Sequence, residues 1–364
     1  MYDKNGKAFI DLISGIGVSS IGHGNPHVKA AIHAQVEKYM HLMVYGEYVQ
    51  TPQVLFAEKL LSVLPDDLTS VYFVNSGSEA VEGALKLAKR FTGRHQIIAC
   101  ENSYHGSTHG ALSVMGNEAY KQAYRPLLPG VDLIRFNYVE DLERITEETA
   151  CVIIETIQGE AGVRVPDIAY MRALRQRCTQ TGTLLILDEI QAGFGRTGRL
   201  FAFEHFDIVP DVLLLAKALG GGMPVGAFIS SHQIMDSLKE NPLLGHITTF
   251  GGHPVCCAAG LAALEVLLND HLISNVAEKE ILMRTLLVHP QIKQIRGKGL
   301  MLALELENFY LNKKIIDRCI TNGVITDWFL HCDNAMRIAP PLIITTEEME
   351  TACAVIIEAI NFYS

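Results

Sequence analysis

The sequence predicts an α/β fold: a large domain with a mostly parallel seven-stranded sheet, and a smaller α+β domain beside it. Three observations carry this. Short apolar runs at 70–74, 96–99, 131–136, 149–155, 183–188, 211–216 and 225–230 have strand length, and most lack the polar alternation of a half-exposed sheet. Helical patterns at 78–91 and 167–181 lie between several of them, the texture of strands covered on both faces. Beyond a long apolar helix starting at Pro254 and running to about Leu268, the texture changes.

The elements follow in order. Residues 1–24 are glycine-rich and strand-like, and are expected to pack with the C-terminal part. The run at 225–230 follows 211–216 too closely for a helical crossover and is expected to lie antiparallel. The segment 292–307 alternates like half-buried strands, and helices are expected at 311–321 and 347–362. The resulting division is a large domain over 36–255 and a small α+β domain formed by 1–35 and 256–364. No internal repeat or low-complexity segment interrupts it.

Composition narrows the function classes. The chain has 364 residues, 49% of them hydrophobic, ample for a large core. A formal net charge of -10 excludes the electrostatic footprint of a nucleic-acid binder. The 8 cysteines form no Cys-x-x-Cys pair, and several lie in apolar segments, so buried reduced thiols are expected rather than a disulfide framework. No basic-then-apolar leader opens the sequence and no apolar run reaches membrane-spanning length, so a cytoplasmic protein without a membrane partner is expected. No metal site is expected.

Three segments carry chemistry. Asn75-Ser76-Gly77-Ser78-Glu79-Ala80 joins a strand to a helix, with Ser78 as the expected N-cap. Such helix starts bind phosphate through free N–H groups and the helix dipole. Asp188 ends the apolar run Leu184-Leu185-Ile186-Leu187, where open α/β sheets place ligands. A buried acid there needs a cationic or hydrogen-bonding partner, which a protonated pyridine nitrogen supplies. Lys217 ends Leu213-Leu214-Leu215-Ala216 and precedes Gly220-Gly221-Gly222. Burial there lowers a lysine toward a usable nucleophile, and glycines admit a bulky ligand close to the backbone. A phosphate cradle, an acid for a pyridinium and a Schiff-base lysine together are the protein side of pyridoxal-phosphate (PLP) chemistry.

With these residues in place, the sequence resembles the class III aminotransferases of PLP fold type I, the acetylornithine, ornithine and 4-aminobutyrate aminotransferase group. The resemblance runs from Asp11 to about Ile344. It rests on Gly22-His23, NSGSEAVEGALKLAKR (75–90), SYHGSTHGALS (103–113), IETIQGEAGV (154–163), LDEIQAGFGRTG (187–198), AKALGGGMPVGA (216–227), HITTFGGHP (246–254) and RIAPPLI (337–343). It implies that Gly77 and Ser78 hold the phosphate, Tyr104 stacks on the ring, Asp188 pairs with the ring nitrogen and Gln191 lies near the ring hydroxyl. Lys217 holds the cofactor and moves the proton, while Glu155 and Glu160 line the site. It further implies that Thr249 reaches the cofactor phosphate of a neighbouring subunit, hence a homodimer with shared sites. Arg337 takes the carboxylate of the amino or oxo acid, with Glu160 as its partner when that carboxylate is absent. The implied reaction moves an amino group from an ω-amino acid, diamine or ornithine-type donor to a 2-oxo acid, by family habit 2-oxoglutarate, in two ping-pong halves.

The sequence departs from the family in three places. Tyr104-His105-Gly106 is followed by Ser107 where many members carry an arginine for the substrate carboxylate, with Arg125 and Arg164 as candidate substitutes. Ile16 stands where ornithine-type members carry a tyrosine for the α-carboxylate. Relatives usually have a longer N-terminal segment, so site contacts from such a segment are expected to be missing. The same scaffold also carries aminomutases and decarboxylating transaminases. A non-catalytic PLP-binding module is disfavoured because Lys217 and Asp188 are present, and a nucleotide-binding protein because both glycine-rich nucleotide motifs are missing.

Overall fold

A computed structural model describes residues 1–364. Its strands are β1 (Ile10–Asp11), β2 (Ser70–Val74), β3 (Gln96–Cys100), β4 (Val131–Ile134), β5 (Thr149–Glu155), β6 (Leu184–Asp188), β7 (Val212–Leu215), β8 (Gly226–Ser230), β9 (Gln294–Lys298), β10 (Met301–Glu305), β11 (Val324–Ile325), β12 (Trp328–Phe329) and β13 (Cys332–Ile338). The seven apolar runs from 70 to 230 therefore form strands within two residues of their expected bounds.

Those seven make one sheet in the order β2-β8-β7-β6-β5-β3-β4. Only β8 runs against its neighbours, pairing antiparallel with both β2 and β7. The expected reversal follows from the connection: residues 216–225 hold one short 3-10 turn, not a crossover helix. Strands β5 and β6 are buried along their whole length, which is why their sequences carry no polar alternation. The helices Gly77–Thr92 and Ile168–Thr181 supply the covering.

A second sheet in the order β12-β13-β10-β9 is antiparallel throughout. Helix Phe309–Thr321 packs against β13, and helix Thr346–Phe362 packs in turn on that helix. One contiguous apolar cluster, including Phe56, Leu264, Leu302 and Ile356, runs through both parts of the molecule.

Two local expectations are corrected. The N-terminal residues are strand only at β1, which pairs parallel with β11; the link to the C-terminal part holds, but the extended conformation does not. Gly15, Gly17, Gly22 and Gly24 all take positive φ and turn the chain. The Gly77–Thr92 helix is capped by Ser76, not Ser78: Ser76 is extended, and its hydroxyl accepts from Glu79 N–H at 3.2 Å. All 8 cysteines are free thiols; seven are buried and Cys332 is half-buried. No helix is long and apolar enough to cross a membrane.

Candidate active site

The carboxyl ends of β5, β6 and β7 open on one side of the large sheet, the side where such sheets hold ligands. Register places Glu155 opposite Asp188, and Asp188 opposite Leu214, so Lys217 follows just beyond the next strand end. Gly77, Ser78, Tyr104, Glu155, Glu160, Asp188, Gln191 and Lys217 all line one cavity of about 390 Å³. Residues far apart in sequence, from Gly77 to Lys217, are thus brought together around one space.

At one end of the cavity lies the start of the Gly77–Thr92 helix. Ser76 satisfies the N–H of Glu79 with its hydroxyl and that of Ala80 with its carbonyl. The earlier N–H groups, of Gly77 and Ser78, belong to the first turn and have no intrahelical partner. Ser78, freed from capping, accepts from Ser107 N–H at 3.3 Å. Gly106 closes this corner at φ 127°, and a Cβ there would lie 2.2 Å from Ser78 Oγ. Only glycine fits, which leaves a concave, donor-lined cradle for an anion.

Across the cavity, Asp188 accepts from Ile190 N–H at 3.0 Å and sits 2.7 Å from His105 Nδ1. The second carboxylate oxygen is thereby held by a buried imidazole, while His105 Nε2 has no partner in the chain. Glu155 accepts from Tyr104 N–H at 3.0 Å and Gly159 N–H at 2.8 Å. Burial, more than any neighbour, pushes its pKa up to about 7. Lys217 adopts φ 50°, and burial pushes its pKa below the ordinary lysine value; Arg337 adds to that, while Glu160, Asp188 and Glu155 pull the other way. A non-glycine residue held left-handed at the end of a buried strand is a strained position.

Beside this cavity Arg337 is buried and donates from NH2 to both oxygens of Glu160, at 3.1 and 3.0 Å. Glu160 also accepts from Gln191 Nε2 at 3.2 Å and Leu330 N–H at 3.1 Å. Burial pushes Glu160 up, but Arg337 outweighs it and the net shift is down. Ile16 lies near by, lining a small cleft with Gln191 and Arg337.

Three expected or candidate groups lie elsewhere. Thr249 is exposed and does not line the cavity of its own chain. Arg125 is exposed and paired with Glu118 at 2.7 Å, and Arg164 faces a separate groove with Arg284 and Arg296. Neither arginine replaces the one missing at Ser107, and Lys217 is the cavity's sole lysine or arginine.

The residues fit PLP. The cradle matches its phosphate, Asp188 its ring nitrogen, and a lysine of lowered pKa its aldehyde; the partnerless Nε2 of His105 leaves a buried polar atom for a bound group. His105 was not singled out by sequence reasoning, although it lies inside the quoted segment 103–113. Replacing it tests its part: His105→Ala is expected to retain the cofactor but lower kcat by about tenfold or more, the loss of one charge-assisted hydrogen bond to Asp188. Turnover and cofactor absorbance measured side by side check this.

Comparisons with known proteins agree with the geometry. The family profile described as Aminotransferase class-III matches residues 1–360. An acetylornithine aminotransferase of Methanopyrus kandleri is 38% identical over 364 residues, spanning 99% of this chain and 92% of its own. A LysW-aminoadipate semialdehyde/glutamate semialdehyde transaminase of Sulfolobus acidocaldarius is 37% identical, with the same shares. Among solved structures, the ornithine aminotransferase of Toxoplasma gondii superposes with a TM-score of 0.91 at 33% identity, covering 100% of this chain and 88% of its own. A PLP-bound amine transaminase from an uncultivated Pseudomonas species gives 0.93 at 28% identity, covering 100% and 93%.

Proposed function

This chain belongs to the class-III aminotransferases and is a PLP-dependent transaminase of fold type I, and on that premise we propose that it transfers the terminal amino group of an ornithine-type donor to 2-oxoglutarate. The observation that carries this reading is the buried Glu160–Arg337 pair beside the Lys217 cavity. A transaminase of this kind must accept, in one place, a terminal CH2–NH3⁺ with no carboxylate and then an oxo acid with one. Glu160 satisfies Arg337 during the first half, and the oxo-acid carboxylate replaces it in the second. Relatives that act on acetylornithine and on ornithine support the donor class.

The cofactor, when bound, supplies an electron sink for the pair left behind as a proton leaves the amine-bearing carbon. The chain's own residues do the rest. Gly77 and Ser78 would offer N–H groups to the phosphate, Tyr104 would cover the ring, and Gln191 would stand near its hydroxyl. Asp188, fixed by His105 and Ile190 N–H, would be the acid that faces the ring nitrogen. Glu155 braces the Tyr104 backbone. Lys217, kept toward its neutral form by burial, is the nucleophile and the base that takes up and returns the proton.

Thr249 is read as the contribution of a second copy to the phosphate, in a homodimer. Its exposure supports this, as do the exposed Leu243, Leu244, Ile247 and Phe250 around it. A second donor reading, a diamine, is favoured by one observation: Ser107 and the arginine-free cavity offer no cation to a distal carboxylate.

The test is an absorbance titration of the purified holoenzyme with ornithine, acetylornithine, 4-aminobutyrate, lysine and putrescine. Ornithine or acetylornithine is expected to bleach the cofactor band, and 2-oxoglutarate to restore it. Bleaching by putrescine alone would establish the diamine reading, and no bleaching by any of the five would overturn both.

A further inference from the structure

Arg337 has two acidic partners, and the exchange described above uses only one. Its Nε donates to Asp327 Oδ1 at 2.8 Å, while NH2 serves Glu160. The face of the guanidinium lies over the Phe329 ring, 4.3 Å from its centroid. The two acids are held differently. Asp327 sits just before β12, and its carbonyl accepts from Arg337 N–H at 2.9 Å; next to it, Thr326 Oγ1 donates to the Arg337 carbonyl at 2.6 Å. Backbone pairing across the hairpin therefore fixes Asp327 opposite Arg337. Glu160 reaches Arg337 from the loop after β5, and apart from Arg337 its carboxylate has only Gln191 Nε2 and Leu330 N–H.

This difference matters when a substrate carboxylate arrives. A buried guanidinium that loses its only counter-ion is strongly disfavoured, and one with no anchor has no fixed orientation. We infer that Asp327 is the positioning residue for the oxo-acid half of the reaction: it stays on Nε and keeps NH2 aimed at the cavity while Glu160 gives way to the incoming carboxylate. This rests on the reading of Arg337 as the carboxylate-binding residue. The ring of Phe329 beneath the guanidinium limits its tilt and leaves the hydrogen-bonding edge as the variable part.

The experiment uses the holoenzyme and three variants, D327A, D327N and R337A. Binding of glutarate, an inert dicarboxylate, is measured by calorimetry, and the amine and 2-oxoglutarate half-reactions are followed separately by absorbance. D327A is expected to weaken glutarate binding and raise the KM for 2-oxoglutarate by about tenfold or more, with a much smaller change in the amine half-reaction. D327N keeps an oxygen that accepts from Nε and is expected to recover most of the loss. Should D327A not fold, D327E replaces it: the charge remains but the oxygen moves by one methylene, and the same selective loss is expected.

Wild-type glutarate affinity in D327A or D327E, an equal fall in both half-reactions, or a D327N no better than D327A would each overturn the inference. R337A separates the two levels. Impaired glutarate binding in R337A together with wild-type binding in D327A overturns the role of Asp327 alone. Unimpaired binding in R337A overturns the reading of Arg337, and this inference with it.

Discussion

Lys217→Ala is expected to lose turnover by ~10⁴-fold or more, the upper range for removing a positioned acid–base group. The loss is larger than for any other single residue because Lys217 has two tasks, holding the cofactor and moving the proton. No other lysine or arginine lines the cavity, so no neighbour substitutes. Borohydride reduction followed by peptide mass analysis reads the first task directly: the wild type should carry the cofactor on the peptide containing residue 217, and the variant should carry it nowhere. A small exogenous amine such as methylamine should restore part of the proton transfer. Wild-type-like turnover in the variant would remove Lys217 from the mechanism.

The same residue sets a pH dependence with a definite sign. Burial disfavours the ammonium and lowers the Lys217 pKa. As pH rises through that lowered value the free amine becomes the dominant form, so proton removal should increase with pH and level off below the ordinary lysine range. Glu160→Gln removes the first of the carboxylates that favour the ammonium, so it should move this limb to lower pH. Single-turnover rates with the amine donor over a pH series check both statements. A limb shifted to higher pH in the variant would contradict the assigned electrostatics.

What could be read from the residues alone divides along a physical line. Lys217 and Asp188 stood out because each is a charged group at the end of an uninterrupted apolar strand, a costly arrangement that local sequence displays. The central strands were visible for the same reason: β5 to β8 are buried at every residue, and buried strands advertise themselves by composition. The cap was misassigned by two residues because Ser76 and Ser78 offer the same hydroxyl, and only backbone conformation separates them. Asp327 had no local signal. Its meaning depends on a hairpin whose register shifts between Trp328 and Phe329, so its distance from Arg337 cannot be counted from sequence. Arg125 and Arg164 failed as substitutes for a converse reason: nothing in a sequence says which way an exposed arginine points.

The Asp188→Asn variant is expected to keep the cofactor and lower kcat by about 10²–10³-fold, the effect of removing one preorganised electrostatic contact from a reacting centre. The geometry specifies why the exchange is not innocuous. Both carboxylate oxygens are in use, Oδ1 accepting from Ile190 N–H at 3.0 Å and Oδ2 lying 2.7 Å from His105 Nδ1. An amide can keep its oxygen on only one of these. If the oxygen stays with Ile190, the NH2 group meets His105 Nδ1 and forces the opposite imidazole tautomer, which places a proton on the buried Nε2. If it turns to His105, the NH2 group faces the Ile190 N–H. Either way the ring nitrogen loses a full negative charge, and the phosphate cradle at Gly77, Ser78 and Gly106 is untouched. Cofactor retention with a collapsed rate is therefore the signature. The check is the proton-removal step itself, measured as exchange of the substrate's amine-bearing carbon hydrogen with solvent deuterium. Exchange at the wild-type rate would mean that the charge facing the ring nitrogen comes from another acid, and Glu155, registered beside Asp188 on β5, is the first to examine.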